Sequence, residues 1–250
     1  MIPNPIRKVL SSIQEHRVRA LLMGGQACVL YGAAEFSRDI DLAILADPGN
    51  LLRLRKTLSD LQAEVIAVPP LDPKHLRRGH AVHFRCMHPE ALRMRLDVMS
   101  KMRGLDAFSK LWARRTTLIL PDRLSCNLMS LPDLVKAKKT QRDKDWPMIR
   151  RLLEAHYFKH RTRPGRSRIT FWLKELRTPE LLVEVAQHHP RSCRRMAASR
   201  PLLAAALAGE VKEIANGLRE EEMAEREIDR QYWAPLRQEL ELLRRSRRLR

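Results

Sequence analysis

Residues 21–45 read LLMGGQACVLYGAAEFSRDIDLAIL. An apolar run, Arg19 to Met23, has strand character. Gly24 and Gly25 break it, and Gln26 to Ala34 read as a helix. Asp39 to Leu45 then read as a second strand with a buried apolar tail. Side chains two apart in a strand project from one face, so Asp39 and Asp41 point together while Ile40 turns to the core. Two adjacent carboxylates repel unless a cation stands between them. Hard oxygen ligands at the open end of a sheet suit Mg²⁺. Phosphoryl-transfer enzymes use such pairs to hold two metals roughly 3.5–4 Å apart. The glycines are complementary: with no Cβ they let the backbone approach a ligand closely, and the helix start after them offers N–H groups to an anion. A Mg²⁺-bound triphosphate satisfies both halves.

Working outward, Ile6 to Gln14 read as an amphipathic helix, Leu51 to Leu61 as a helix behind Pro48 and Gly49, and Glu64 to Val68 as a short strand. Ala81 to Cys86 and Met94 to Met99 read as two strands of a hairpin. The second carries a third carboxylate, Asp97, between apolar neighbours. If that strand lies beside Asp39's, Asp97 completes the metal site as a ligand, or takes the proton of an attacking hydroxyl. Leu105 to Arg114 read as a helix and Thr116 to Leu120 as a strand ending at Pro121. This order predicts an α+β core around one small mixed sheet. Beyond Pro121 strand signals fade. Helices are expected at 131–140, 146–157, 169–177, 179–188, 200–216 and 217–243, with Gly209 as a C-cap, the basic stretch 159–168 as an exposed loop and the tail 244–250 frayed. The chain divides on this reading into a core (1–122), a helical part completing the nucleotide site (123–160) and a helical C-terminal region (161–250).

The 250 residues are 44% hydrophobic, enough for a globular core, and carry a net charge of +19. Residues 101–170 alone hold +12 of it, so an anion-binding face is built largely there. Cys28, Cys86, Cys126 and Cys193 lack CxxC spacing, which argues against a zinc knuckle, a redox motif or a disulfide framework and fits a reducing compartment. Cys28, behind Gly-Gly, reads as core. No apolar run approaches the roughly 20 residues of a membrane helix, and the first residues lack the apolar segment of a secretory signal, so a soluble cytoplasmic protein is expected. His80 and His83 form an H-x-x-H without an evident acidic partner, and His188-His189 read as a surface turn.

Two separated motifs carry a family resemblance. The first is Gly24-Gly25-Gln26-Ala27, Tyr31-Gly32 and Asp39-Ile40-Asp41-Leu42. The second, after Leu131-Pro132-Asp133-Leu134, is Lys138-Lys139-Thr140-Gln141-Arg142-Asp143-Lys144-Asp145. Over about residues 15–155 the chain resembles the nucleotidyltransferase superfamily named after DNA polymerase β, and within it the AbiEii-type, toxin-like group. The resemblance implies a polymerase-β-like core and a Mg²⁺-dependent transfer of an NMP from an NTP to an acceptor hydroxyl, with two Mg²⁺ ions, or Mn²⁺ in their place. It implies Asp39 and Asp41 as catalytic metal ligands, beside which Asp97, read from its strand, is the third metal ligand or the general base. Gly24, Gly25, Gln26, Ser37, Lys138, Arg142, Lys144 and Asp145 become the nucleotide contacts. Lys138 and Arg142, four apart, are expected to share one helix face over the triphosphate, with Asp145 orienting a lysine or contacting substrate. Where related sequences carry Arg and then Thr, this chain has Glu35 and Ser37; Ser37 keeps the hydroxyl, and Arg38 adjoins Asp39. The implied role is the toxin of a toxin–antitoxin pair acting on tRNA 3′ ends, with an antitoxin as partner. The basic residues 101–170 would then hold an RNA acceptor by its phosphates, and a protein side chain or small molecule stays open as acceptor. The rivals are an inactive nucleotidyltransferase fold that binds RNA, and an interaction protein whose helical 218–233 segment docks a partner.

Overall fold

Strand β1 (Ala20–Met23) is entered from helix α1 (Asn4–Glu15), whose Ile6, Val9, Leu10 and Ile13 recur at helical spacing and are all buried. The computed structural model describes residues 4–120 and 123–248. β1 passes without a loop into α2 (Gly24–Leu30), and β2 (Asp39–Ile44) follows. α3 (Pro48–Asp60) starts where the sequence signals it: the Asp47 side chain accepts from the Asn50 N–H at 2.9 Å, with Pro48 in the first helical position. Asn50, fully buried, also ties the two central strands together. Its Nδ2 donates to the carbonyls of Arg19 and Leu45, and its Oδ1 accepts from the Arg19 N–H. Next come β3 (Ala63–Val65), α4 (Pro73–Arg78), β4 (Val82–Cys86), a 3₁₀ turn (Pro89–Ala91), β5 (Arg95–Met99), α5 (Phe108–Ala113), β6 (Thr116–Ile119), β7 (Ser125–Leu128) and α6 (Leu131–Ala137).

The seven strands form one mixed sheet in the order β3-β4-β5-β2-β1-β7-β6. β2 runs antiparallel to β1 and parallel to β5, and β4 and β5 make the expected antiparallel hairpin. Ile40, Leu42, Ile44, Leu96, Val98, Val82 and Phe84 are buried on one face, and the residues between them are mostly half-exposed on the other. This is the period-two pattern of a sheet with one packed face. α6 begins at a capping arrangement in which the Ser130 hydroxyl donates to Asp133 at 2.6 Å, and Asp133 accepts both arms of Arg114 at 2.7 and 2.8 Å.

The remaining helices are α7 (Asp145–His160), α8 (Arg166–Glu175), α9 (Pro179–His188), α10 (Pro190–Ala197), α11 (Leu203–Ala208) and the 38-residue α12 (Val211–Arg248). The protein is thus α+β, with a seven-stranded mixed sheet and a helical C-terminal region. Two compact units divide it: Met1–Leu30, Ala34–Ala137 and Tyr232–Arg250 form the first, and Tyr31–Ala33 with Lys138–Gln231 the second. The second packs Trp172, Leu173, Leu182, Val185, Cys193, Leu203 and Ile214 as its core. Beside them Arg200, 7% exposed, bonds Glu221 and the carbonyls of Leu173 and Leu176.

Six elements differ from the sequence reading. β7 lies where strand signals fade, because SCNL buries only Cys126 and Leu128. α4 and α10 are additional helices, each opened by a proline in its first turn. The helix expected at 131–140 stops at Ala137. The basic tail, expected to be frayed, continues α12 to Arg248; Leu249 and Arg250, like Pro121, lie outside the described residues. The helix expected at 200–216 is cut at Gly209, whose φ of +79° closes α11 as a left-handed cap. The four cysteines are buried thiols. Among the described residues no helix is long and apolar enough to cross a membrane.

Candidate active site

The register of three strands builds the site. Asp39 and Asp41 lie on the half-exposed face of β2, and Ile40 between them is fully buried on the other. On β5, Asp97 stands level with Asp41, and Arg95 level with Asp39. On β4, His83 stands level with Asp97 and Arg85 with Arg95, while Met23 of β1 flanks Asp41. Two rows therefore cross the sheet, His83–Asp97–Asp41–Met23 and Arg85–Arg95–Asp39, with neighbouring strands about 4.8 Å apart. The three carboxylates named from the sequence share this face on two adjacent strands, and the register that places them there is long-range.

The turn between β1 and α2 is shaped around them. Gly24 has φ +65°, and a Cβ there would run into the Asp41 side chain, coming within 2.7 Å of its Cβ and closer still to its carboxylate. The turn can pass Asp41 at this distance because residue 24 has no side chain. Gly25 makes the same close approach to Ser37, whose Cβ would be 2.9 Å from an added methyl. Gln26, 4% exposed, donates from Nε2 to the Ser37 carbonyl at 2.8 Å, and the Ser37 hydroxyl donates to the Asp39 carbonyl at 3.3 Å. Gln26 and Ser37 thus fasten the segment leading into β2 against the glycine turn. Glu35 and Arg38 are exposed.

Asp97 is the most engaged carboxylate. Its Oδ1 lies 2.8 Å from His83 Nδ1 and accepts from Arg95 Nε at 2.9 Å. Burial alone would raise its pKa; the bonds from His83 and Arg95 outweigh that and hold it below the usual carboxylate range. Arg95 is bonded to Asp97 and also lies in the field of Asp39 and Asp41, which together hold its guanidinium firmly charged. The donor chemistry fits a hard divalent cation: Asp39 and Asp41 supply oxygens from one face, and the Gly24 turn leaves the space beside Asp41 free of a side chain. Among the described residues no three His, Cys, Asp or Glu side chains converge on one point, and Arg95 occupies Asp97 instead.

The second motif forms its own cluster, in the second unit. Asp145, 2% exposed at the start of α7, accepts from Thr140 Oγ1 at 2.6 Å, Arg142 Nε at 2.8 Å and Lys138 Nζ at 3.2 Å. Burial would raise its pKa, but Lys138, Thr140 and Arg142 bring it below the ordinary range. Lys138 and Arg142 do not share a helix face: residues 138–144 form a turn wrapped around Asp145. A buried carboxylate recruits every local donor, and that outweighs the helix propensity of the lysines. Asp145 holds Lys138 in an ion pair. Lys144, just before α7, is exposed. Both members of the H-x-x-H have acidic partners, contrary to the sequence reading. His83 meets Asp97, and the buried His80 sets its Nε2 2.7 Å from Glu239 Oε2, 159 residues away in the chain. A cavity of about 240 Å³ lies on the opposite face of the sheet, between α1 and Ala20, Leu22, Leu42 and Trp112. No family model matches the chain, and no curated protein matches it.

Proposed function

We propose that the chain is a Mg²⁺-dependent nucleotidyltransferase that moves an NMP from an NTP to an acceptor hydroxyl, of the polymerase-β kind its motifs resemble. One observation carries the reading: Asp39 and Asp41 share a face with Asp97 in lateral register, beneath a glycine turn that fits only without a Cβ. Asp39 and Asp41 would hold the cation, which when bound supplies positive charge to the triphosphate and acidifies the acceptor hydroxyl. Asp97 is kept ionised by two donors, so it suits a ligand better than a proton acceptor. The acceptor hydroxyl would give its proton to solvent water as its oxygen bonds to the α-phosphorus and the bond to pyrophosphate breaks. The protein contributes position and charge compensation. Within the second unit, Arg142 is more than half exposed, and Lys138, 11% exposed, holds the turn around Asp145. The +12 of residues 101–170 supports RNA as the acceptor, tRNA 3′ ends in the toxin-like reading, with an antitoxin as the regulatory partner.

The test is transfer of label from each α-³²P NTP, with Mg²⁺ or Mn²⁺, into RNA and protein pools, run beside Asp39→Asn/Asp41→Asn. Label with wild type alone supports the reading, and the labelled species names the acceptor. Absence of label with folded, partner-free protein refutes it. A second reading, an RNA-binding protein without chemistry, is favoured by one feature, the capture of Asp97 by Arg95 and His83. It expects salt-dependent RNA binding that Asp39→Asn leaves unchanged.

A further inference from the structure

We propose that Arg95 is the resident counter-cation of the carboxylate site, a tethered competitor that a divalent cation must displace from Asp97; this rests on the metal-dependent reading above. Arg95 sits two residues before Asp97 on β5, so both side chains leave the same face. It is in lateral register with Asp39, one strand over. Its Nε donates to Asp97 Oδ1 at 2.9 Å, its Nη2 lies 3.2 Å from His83 Nδ1, and its charge is felt by Asp39 and Asp41 as well. Three carboxylates on two adjacent strands need positive charge, and this guanidinium supplies it without any ligand.

The geometry also makes the arrangement reversible. Arg95 reaches Asp97 through Nε, not through the two-pronged fork that makes arginine–carboxylate pairs strong. Its side chain is 42% exposed, while that of Asp97 is 16% exposed. A long side chain with nearly half its surface in solvent can swing away, whereas the carboxylates are fixed by the sheet. A cation entering beside Asp41 would meet Asp39 and Asp41 first and gain Asp97 when Arg95 leaves. The freed guanidinium then stands at the edge of the site with its charge available to a phosphate.

The experiment uses the full chain and Mn²⁺ alone as the probe, read by electron paramagnetic resonance of free Mn²⁺ and by calorimetry. Circular dichroism confirms that each variant is folded. Arg95→Gln is expected to bind Mn²⁺ about three- to tenfold more tightly than wild type, the scale of removing one part-exposed competing ion pair. Arg95→Lys keeps the charge and stays within about twofold of wild type. Arg85→Gln is the control: Arg85 is exposed, in register with Arg95 but one strand further from Asp39. It removes the same charge and leaves affinity unchanged. Equal tightening in Arg85→Gln and Arg95→Gln would reduce the effect to net charge and overturn the proposal. So would unchanged affinity in Arg95→Gln with measurable binding by wild type, and in that case the metal-dependent reading survives. Absence of Mn²⁺ binding in every protein would remove both.

Discussion

Gly24→Ala isolates the step from backbone to chemistry. The glycine has φ +65°, and an alanine held there costs about 1–2 kcal/mol in backbone strain. The new methyl would also overlap the Asp41 carboxylate and come within 2.7 Å of its Cβ. Asp41 must leave its rotamer or the turn must shift, at about 1 kcal/mol more. The total, about 2–3 kcal/mol, corresponds to a fall of roughly 5–10 °C in the melting temperature. The functional loss is expected to be much larger than the stability loss. A catalytic carboxylate displaced by about 1 Å costs on the order of 100-fold in rate. Two comparisons separate the causes. Gly32 has φ +79° with nothing within 4 Å of an added methyl, so Gly32→Ala carries the strain without the collision. In an Asp41→Ala background the carboxylate is gone and only the 2.7 Å approach to the Cβ remains, so the cost of Gly24→Ala should fall toward that of Gly32→Ala. Thermal unfolding and label transfer from α-³²P NTP are the assays. Transfer within threefold of wild type, or an undiminished stability cost in the Asp41→Ala background, would refute the assignment of Gly24 as the residue that makes room beside Asp41.

Three further outcomes follow from the packing. Burial first, then the neighbouring charges of His160, Arg168 and Lys159, lower the pKa of His156 to about 4, and its Nδ1 accepts from Trp172 Nε1 at 2.9 Å. The folded pKa lies below the unfolded value of about 6.5, so the unfolded chain binds the extra proton between these values and stability falls as pH drops from about 6.5 to 4. After allowance for partial exposure the loss is about 2 kcal/mol, and urea titrations of wild type and His156→Phe should diverge over that window, the variant losing less by about that amount. Glu221→Ala strands Arg177 and the buried Arg200, which share that carboxylate at 2.8–2.9 Å, and is expected to cost about 3 kcal/mol by chemical denaturation, with a loss below about 1 kcal/mol counting against the shared pair. Burial pushes the thiols of Cys86 and Cys126 up to about 11 and about 12, so at pH 8 both should react with a thiol reagent only as fast as the protein opens, accelerating with added urea.

The parts of this molecule that were readable in the sequence are those set by local rules. DIDLAIL declares its buried and half-exposed faces by alternation, and RLDVM does the same. α3 announces its start through Asp47 and Pro48. α4 carries the same signature, with Asp72 accepting from the Lys74 N–H at 2.8 Å and Gly79 closing the helix at φ +111°, a short signal between stronger neighbours. What could not be read locally was partnership over distance. The approach of Glu239 to His80 is decided by a helix that begins at Val211, and the level pairing of Asp97 with Asp41 is decided by parallel register across 56 residues of chain. The turn at 138–144 belongs to a different class of miss. Its lysines favour a helix, but the buried Asp145 offers three donors a charged acceptor in a dry place, and such an acceptor outweighs the few tenths of a kcal/mol that propensity supplies per residue.

The alternation rule says more about the carboxylates than which ones share a face. Applied to Arg95 and Asp97, it places a cation on the same face as the third carboxylate, just as it pairs Asp39 with Asp41. Register then sorts the charges into two rows, one attractive, Arg95 beside Asp39, and one repulsive, Asp97 beside Asp41. Like charges directly opposite one another destabilise a sheet. Asp97 could be exchanged for a neutral residue on this half-exposed strand without loss of the hydrophobic alternation that folds it. The hydrophobic pattern of the strand therefore gives no reason to keep the repulsive row, although within the fold Asp97 is held by Arg95 and His83. Under the proposed metal-dependent function a bound cation would be a further reason, with Arg95, tethered one row away, compensating the charge in its absence.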